Sequence, residues 1–306
     1  MTPARKGVIG VLVACVIWGL APLYYRYLAR IPSGEMLAQR TLWSAVIFGL
    51  LMVVQGKWRL LGQAARGPEM PRILLTALLI SFNWGVFIWA IQNGHAVEAG
   101  LGYYIFPLMA VGLGVLTLGE RLSLLQGLSI GLATAAVGLL TGGLGVAPWI
   151  ALGLAASFAA YSRTKTGLKT DATASVTLEV LVLAPLALAY LLWLHLGQGQ
   201  GYFGREVEAT LMLPLTGAIT AGPLILFSYG AQNIRLSTLG VAQYLNPTLQ
   251  VGCAALIMGD PFTPWHWAAL TLIWAALVLY SAESWRQDRR ASSAVSKVAT
   301  SLTTVK

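Results

Sequence analysis

Arg40 stands inside an apolar run of the sequence and has the clearest potential for chemistry. A charge at the centre of a membrane helix costs about 2.5–3.5 kcal/mol on insertion scales, so this side chain should face a cavity or a partner. A guanidinium in such a place is a candidate contact for a substrate. The alternative is that the side chain extends to the outer membrane surface, because Arg40 lies about six residues from the outer end of its predicted helix.

Two acidic residues within other apolar runs, Glu98 and Glu179, are candidates for carrying a coupled proton. Proton relays in membrane transporters use intramembrane carboxylates of this kind. The first apolar run has no Asp or Glu between Val8 and Tyr27, so proton coupling through that run is not expected. Transport without a coupling ion is the alternative.

Aromatic and amide side chains at mid-depth are candidates for binding an organic solute. Aromatic faces with a few hydroxyl groups suit amphipathic or cationic molecules. Each of these residues can equally pack the core or link two helices. The candidate aromatic residues are Trp18, Trp84, Tyr103, Tyr104, Phe158, Tyr161 and Tyr244, and the candidate amides are Asn83, Gln243, Asn246 and Gln250.

The sequence lacks the usual elements of enzyme sites. His95, His195 and His266 do not have the spacing of a zinc site. Neither a P-loop nor a GxSxG element occurs in the chain. Cys15 and Cys253 lie within apolar runs, without the spacing of a metal site or a disulfide framework. We therefore expect no enzyme activity, no metal and no cofactor.

The composition requires membrane helices to position these residues. Hydrophobic residues make up 57% of the 306 residues, charged residues 10%, and the mean hydropathy is +0.71. A soluble domain has about 25% charged residues, and a helix needs about 20 mostly apolar residues to cross a bilayer. The predicted spans are residues 7–27, 35–54, 72–92, 98–118, 124–142, 147–165, 174–194, 210–231, 238–258 and 264–282.

The basic residues predict the orientation of these spans, because Lys and Arg concentrate in cytoplasmic loops. With the N-terminus inside, sixteen of the 20 Lys and Arg residues fall on cytoplasmic segments and three on outer segments, while Arg40 lies within a helix. Both termini are therefore predicted to be cytoplasmic. Residues 291–306 have few large apolar groups, and we predict a disordered cytoplasmic tail over residues 286–306.

The two halves of the chain repeat at a single offset of 140 residues. The matched pairs are Trp18 and Phe158, Gln92 and Gln232, Asn93 and Asn233, Gly100 and Gly240, Tyr104 and Tyr244, Pro107 and Pro247, Gly119 and Gly259, and Glu120 and Asp260. Five crossings per unit make the second unit enter the membrane from the opposite side. The predicted fold class is therefore an all-α membrane protein of ten transmembrane helices in two inverted five-helix repeats, residues 1–142 and 147–285.

Four prolines near mid-depth are candidates for helix breaks or gates. Proline removes a backbone donor and clashes with the carbonyl four residues earlier, so such a break in lipid must face protein or a watery cavity. Paired interruptions in two halves are typical of a transport site, and ordinary packing kinks are the alternative. The residues are Pro22, Pro107, Pro223 and Pro247.

The repeat also bears on the partner of Arg40. Glu179 is one residue from the repeat equivalent of Arg40, but inversion separates the two by half of a core about 30 Å thick. We therefore expect no direct Arg40–Glu179 salt bridge. Glu35, about one and a half turns before Arg40, is an alternative partner.

Several stretches of the chain resemble a known family. They are Ile17–Tyr24, Gln39–Ser44, Asn83–Trp84, Gln92–Ala99 and Leu101–Tyr104 in the first half, and Gly222–Leu224, Leu236–Gly240, Gln243–Gln250 and Ile273–Leu277 in the second. These stretches resemble the RarD branch of the EamA-type transporters, in the drug/metabolite transporter superfamily. The resemblance covers residues 7–285 and implies a ten-helix, exporter-like fold with inverted repeats in a bacterial inner membrane. It does not imply a substrate.

These observations favour a secondary transporter that exports small organic metabolites or drug-like solutes by alternating access. A membrane-embedded enzyme and a channel are the alternatives, although channel filters use charged or carbonyl rings rather than aromatic residues and prolines. The expected partners are a small-molecule substrate and the lipid bilayer, without nucleic acid, for a monomer or homodimer. The expected location is the bacterial inner membrane, which the chain crosses many times.

Overall fold

The computed structural model of the chain describes residues 2–118, 123–145, 148–165, 168–234 and 242–303. Regular secondary structure in these ranges is helical. The helices are α1 (Pro3–Tyr27), α2 (Ser33–Val54), α3 (Trp58–Ala65), α4 (Met70–Gln92), α5 (Ala96–Leu118), α6 (Leu124–Leu144), α7 (Trp149–Lys165), α8 (Ala172–Leu192), α9 (Val207–Asn233), α10 (Leu245–Cys253) and α11 (Pro264–Thr303). Single π-helical turns, Trp193–Gly197 and Ala254–Met258, extend α8 and α10.

Eight of the described helices are long and apolar enough to cross a membrane. They are α1, α2, α4, α5, α6, α8, α9 and α11. The other two predicted spans, 147–165 and 238–258, correspond to α7, which has 17 residues, and to the shorter apolar stretch Leu245–Met258. Part of each of these two predicted spans lies outside the described residues. The chain is a multi-pass, all-α protein.

The segment after α2 contains a helix that is not one of the predicted spans. Residues 55–71 lie between the second and third predicted spans, and the structure has the short helix α3 there, in which none of the fully described residues is buried. The guanidinium of Arg59 lies 5.7 Å from the ring centre of Trp58. Short helices with apolar and basic groups of this kind are typical of a membrane surface.

The C-terminal segment of the described chain is the long helix α11, whose last part coincides with the predicted tail over residues 286–306. The backbone of α11 continues without interruption to Thr303. The reason lies in the sequence, because neither Pro nor Gly occurs between residues 265 and 303. Those two residue types are the ones that most strongly end a helix.

Small residues set the helix packing. α1 packs on α9 and α10, α5 packs on α7 and α10, α2 lies against α8 and α9, α4 lies against α7 and α8, and α6 pairs with α11. A Cβ atom added to Gly102 in α5 would lie 2.8 Å from the carbonyl oxygen of Ala151 in α7. One added to Gly19 in α1 would lie 2.6 Å from the Cβ of Leu249 in α10. Glycine at such positions lets two helix backbones approach closely, which is how membrane helices gain packing energy.

Polar contacts join the loops at one end of the helix bundle. The carboxylate of Asp260 accepts from the backbone N–H of Ala96 at 2.7 Å and lies 3.9 Å from the guanidinium of Arg26. The carboxylate of Glu35 accepts from the backbone N–H groups of Tyr202 and Phe203 at 2.9 and 3.1 Å. Glu35 is therefore engaged with the loop before α9 and is not the partner of Arg40.

The opposite end has its own set of contacts around Glu69. Its carboxylate accepts from the hydroxyl of Thr170 at 2.6 Å and from the backbone N–H of Lys169 at 2.9 Å. These hydrogen bonds, that of the Thr170 side chain first, lower the pKa of the Glu69 carboxyl below its usual value. Nearby, Lys57 lies 3.8 Å from Asp171. The loops thus form two groups, and each group joins segments predicted to lie on the same side of the membrane.

Candidate functional site

Arg40 is buried in the interior, with 7% of its surface exposed. Its guanidinium stacks over the ring of Trp84 in α4, with 4.2 Å between the Cζ atom and the ring centre. One terminal nitrogen donates to the hydroxyl of Tyr25 in α1 at 2.9 Å. The side chain therefore stays inside the protein and does not extend to the membrane surface.

A row of five aromatic rings leads away from this guanidinium. The row, called the aromatic row below, consists of Tyr25, Phe87, Tyr103, Phe158 and Tyr161. Successive ring centres lie 6.1, 5.7, 6.0 and 5.7 Å apart, within the 4.5–7 Å typical of aromatic pairs. The row passes from α1 through α4 and α5 to α7, so it joins helices from both halves of the chain.

Asn83 holds the middle of the aromatic row in place. Its amide nitrogen donates to the carbonyl of Leu154 and the hydroxyl of Ser157 in α7, at 3.0 and 2.9 Å. Its oxygen accepts from the hydroxyl of Tyr103 at 2.9 Å. Asn83 is buried, and it ties α4 to both α5 and α7. These bonds fix the orientation of the Tyr103 ring.

The far end of the aromatic row meets an ion pair between a buried carboxylate and a half-buried lysine. Glu179 in α8 is 2% exposed and lies 2.9 Å from the ammonium of Lys165. The hydroxyls of Thr76 and Tyr161 donate to its two oxygens at 2.7 and 3.1 Å. Glu179 thus has a cation and two hydroxyl donors, and its salt bridge is with Lys165 rather than with Arg40.

Helical spacing explains why these side chains meet. Tyr161 and Lys165 are four residues apart in α7, so they lie on one face, and Lys165 donates to the Tyr161 hydroxyl at 3.0 Å. Trp84 and Phe87 are three residues apart in α4 and also share a face. α4 and α7 therefore each contribute several side chains to the site, and helix packing brings these together with single side chains from α1, α2, α5 and α8.

The structure brings together seven of the predicted site residues, which are Arg40, Asn83, Trp84, Tyr103, Phe158, Tyr161 and Glu179. Tyr25, Phe87, Thr76 and Lys165 belong to the same site, and the sequence analysis missed them. Lys165 is the last residue of the predicted span 147–165, and its spacing from Tyr161 was a usable signal. Tyr25 follows Tyr24 near the end of a predicted helix, where aromatic residues are common at a membrane interface.

Other predicted site residues lie in different surroundings. Trp18 is half-buried and packs on Phe227 of α9, with ring centres 5.9 Å apart. The hydroxyls of Tyr104 and Thr248 lie 2.6 Å apart and link α5 to α10. Asn246 accepts from the amide of Gln250 at 2.8 Å, and Gln243 and Tyr244 are half-buried just before α10. These contacts serve the junction of α1, α5 and α10 rather than the aromatic row.

Glu98 differs from Glu179 in its position. It lies in the first turn of α5 and pairs with His95, whose ring nitrogen is 3.0 Å from the carboxylate. This pair is partly exposed, at the end of the bundle that also contains Asp260. The structure therefore places Glu98 in a pair with His95 at a loop end and Glu179 in a pair with Lys165 in the interior.

The predicted prolines fall into two kinds. Pro22, Pro107 and Pro223 lie inside α1, α5 and α9. Pro247 lies in the first turn of α10 and not at mid-helix as expected, where the missing N–H costs little because the helix has no partner for it there. Pro185 in α8 and Pro214 in α9 also lie inside helices and were not among the predicted breaks.

Comparison with known proteins gives one family. Residues 5–142, which include α1 to α6, match the EamA-like transporter family. The chain is 40% identical to "Protein RarD" of Streptomyces exfoliatus over 94% of this chain and 91% of that protein. It is 37% identical to an "Uncharacterized transporter" of Vibrio cholerae serotype O1, covering 92% of this chain and 95% of that protein. Similarity to the "Chloramphenicol-sensitive protein RarD" of Pseudomonas aeruginosa is 31% identity over 95% of this chain and 98% of that protein.

A solved crystal structure has a similar fold. It matches with a TM-score of 0.62 at 17% identity and covers 92% of this chain and 99% of the other. At this identity the likeness concerns the fold alone. The names of the relatives agree with the expectation that the chain is a transporter and not an enzyme.

Proposed function

The chain belongs to the RarD branch of the EamA family, and on this premise we propose that it exports small organic metabolites or drug-like solutes across the bacterial inner membrane. The observation that carries the proposal is the aromatic row between the buried Arg40 and the Glu179–Lys165 pair. Ionisable groups within membrane helices are costly and are typically kept for function. A polar path between the two halves of the protein is where a secondary transporter binds its solute.

We propose that the ten predicted spans form two inverted five-helix repeats, residues 1–142 and 147–285. The 140-residue offset relates α1, α2, α4, α5 and α6 to α7, α8, α9, α10 and α11 in that order. The packing supports this relation, because α1 lies on α9 and α10 while α7 lies on α4 and α5. Likewise the contact of α2 with α9 corresponds to the contact of α8 with α4. In the pairs α2–α8, α5–α10 and α6–α11, each helix contacts its own repeat equivalent.

Alternating access then follows from a relative movement of the two repeats around the aromatic row. We propose Arg40, Asn83, Trp84, Tyr103 and Tyr161 as the main substrate contacts. The second group of proposed contacts, at the junction of α1, α5 and α10, consists of Trp18, Tyr104, Gln243, Tyr244 and Asn246. Pro22, Pro107, Pro223 and Pro247 are proposed as the positions at which helices bend during the movement.

The proposed orientation has both termini, and the tail over residues 286–306, in the cytoplasm. In this orientation α3 lies at the cytoplasmic surface, with Lys57, Arg59 and Arg66 near the lipid headgroups. The proposed partners are a small-molecule substrate and the lipid bilayer, with no nucleic acid, and the chain acts as a monomer or homodimer.

Proton coupling is proposed at Glu179, with Glu98 as the second candidate. Lys165 and Tyr161 adjoin Glu179, so protonation of its carboxylate would release the ion pair and loosen the contact of α7 with α8. The test is a flux assay with and without a pH gradient. Flux that does not depend on the gradient would exclude this form of coupling.

Transport itself is testable by counterflow in proteoliposomes. Thermal stabilisation of the purified protein first identifies a ligand among amino acids, nucleobases, polyamines and aromatic drugs. Vesicles loaded with that ligand should then accumulate the labelled ligand transiently, because a carrier exchanges one molecule for another. Equilibration without accumulation would indicate a channel, and conversion of the ligand to a product would indicate an enzyme.

A further inference from the structure

The surroundings of Arg40 define the chemical class of the solute, and this inference rests on the proposed transport function. We propose that Arg40 binds the carboxylate of a small organic acid, whose apolar body packs against Trp84 and the adjoining part of the aromatic row. The site thus takes an anion, whereas aromatic faces by themselves would suit a cation equally well.

The guanidinium of Arg40 uses only part of its capacity to donate hydrogen bonds. A guanidinium has five N–H donors and no acceptor, and the one hydrogen bond found here is that to Tyr25. The Nε atom is buried and has no partner. Among the described residues, no carboxylate oxygen lies within 4.0 Å of the guanidinium. A buried charge with unpaired donors is costly, and a bound carboxylate would satisfy both the charge and the donors.

Ser44 provides a second, independent sign of a missing ligand. It is fully buried, and its hydroxyl has no hydrogen-bond partner. It follows Arg40 by four residues in α2, so the two side chains lie on the same face of that helix. Ser129 and Ser157 donate to a backbone carbonyl of their own helix, at 2.8 and 3.2 Å, whereas Ser175 in α8 is buried without a partner, as Ser44 is.

Lys165, which is half-buried, is a useful comparison. It has its own carboxylate, Glu179, at 2.9 Å. Within the described part of the chain, the fold therefore neutralises Lys165 and provides no such partner for Arg40. A cationic solute would meet repulsion at Arg40, so the unpaired guanidinium selects against the cationic class that the aromatic residues alone would accept.

The geometry favours a single carboxylate over other anions. The planar fork of arginine matches a carboxylate in a bidentate way. One guanidinium neutralises one negative charge, which fits a monocarboxylate better than a phosphate dianion. The rings of Trp84 and Tyr25, whose centres lie 4.2 and 5.8 Å from the guanidinium carbon, suit an apolar or aromatic body. Because Arg40 is 7% exposed, the solute reaches it only when the helices move, as alternating access requires.

The first test compares four ligands that share a ring and differ in charge. Phenylacetate, phenylacetamide, 2-phenylethylamine and benzylphosphonate are titrated into the wild-type protein in detergent, and the unfolding temperature is measured. Stabilisation by phenylacetate that clearly exceeds the shifts with the amide, the amine and the phosphonate supports the proposal. Equal or greater stabilisation by any of the other three, or no shift with phenylacetate, overturns it.

The second test uses variants of α2. Arg40→Gln should raise the half-saturating concentration of phenylacetate by about tenfold to a hundredfold, as expected for the loss of a charge-assisted hydrogen bond. Arg40→Lys keeps the charge but loses the planar guanidinium. Its half-saturating concentration of phenylacetate should therefore lie between those of the wild type and Arg40→Gln.

Ser44→Ala should weaken the binding of phenylacetate more than Ser129→Ala, a change at an equally buried serine. Unchanged binding in Arg40→Gln would overturn the proposal, and the wild-type titration decides the question if that variant does not fold.

Failure of this inference differs from failure of the proposed function. Phenylacetate binding without counterflow of any solute would keep the carboxylate site and remove the transport proposal. Counterflow of 2-phenylethylamine, without phenylacetate binding, would keep the transport proposal and remove the carboxylate site.

Discussion

At the level of single residues, Asn83 links three helices through its two amide atoms. We expect Asn83→Ala to lower the free energy of unfolding by about 1–2 kcal/mol, because hydrogen bonds between membrane helices contribute about 0.6 kcal/mol each on average. Reversible unfolding in mixed micelles measures this change. Asn93→Ala is the matched control, since Asn93 is exposed and bonds only within its own helix, to Trp89 at 2.8 Å. An equal loss in both variants would contradict the role given to Asn83.

The ion pair of Glu179 and Lys165 predicts non-additive effects. Removing one partner from a fully buried pair costs about 3–5 kcal/mol, because the other charge remains buried; the loss here should be smaller for Glu179→Gln, because Lys165 is half-buried, than for Lys165→Met, which leaves Glu179 buried. We therefore expect Glu179→Gln or Lys165→Met alone to destabilise the protein more than the double substitution does. Unfolding of the two single variants and the double variant, measured as a double-mutant cycle, checks this. Additive losses would mean that the two side chains do not interact in the membrane.

At the level of elements, the contact of α5 with α7 depends on Gly102. A methyl group there would lie 2.8 Å from the carbonyl oxygen of Ala151, so Gly102→Ala should destabilise the protein by about 1–3 kcal/mol. Gly112 lies in the same helix and has open space around it, so Gly112→Ala should stabilise by up to about 1 kcal/mol through its helix propensity. Thermal unfolding of both variants measures the contrast. A loss at Gly112 as large as that at Gly102 would show that the close approach is not the cause.

The link between the start of α4 and the loop before α8 should depend on pH. The pKa of Glu69 is lower in the folded protein than its usual value of 4.5. Its contribution to stability is therefore complete above the unfolded pKa and is lost as the pH falls through the lower, folded pKa. The hydrogen-exchange protection of residues 168–171, taken relative to the intrinsic exchange rate at each pH, should fall over that acidic range in the wild type. In Glu69→Gln the exchange should already be faster at neutral pH and should lack this dependence.

At the level of the whole molecule, the two groups of loops should face opposite sides of the membrane. Gln63 in α3 and Gln198 after α8 are both exposed, and the two native cysteines are buried. In intact cells, a membrane-impermeant thiol reagent should label Gln198→Cys and should label Gln63→Cys only after the membrane is opened. The reverse pattern would invert the proposed orientation, and labelling of both from outside would contradict the assignment of spans.

The sequence by itself determined the properties that depend on local composition. The apolar runs located the eight spans found among the described helices to within a few residues, and the charge of Arg40 singled it out, because hydropathy and charge act residue by residue. The basic loops predicted which segments share a side of the membrane, and this stays a prediction. The sequence did not determine the rotation of each helix about its own axis. Membrane helices are apolar on most faces, so periodicity hardly distinguishes an inward face from a lipid-facing one.

Only the tertiary structure decided which candidates meet. It joined Lys165 to Glu179 and Tyr25 to Arg40, and it separated Trp18 and Tyr244 from the aromatic row. These outcomes depend on close approaches between distant segments, such as Gly102 against Ala151, which set how neighbouring helices are turned. The physical reason is that packing and paired burial of charges are properties of several helices together, whereas hydropathy belongs to each segment alone.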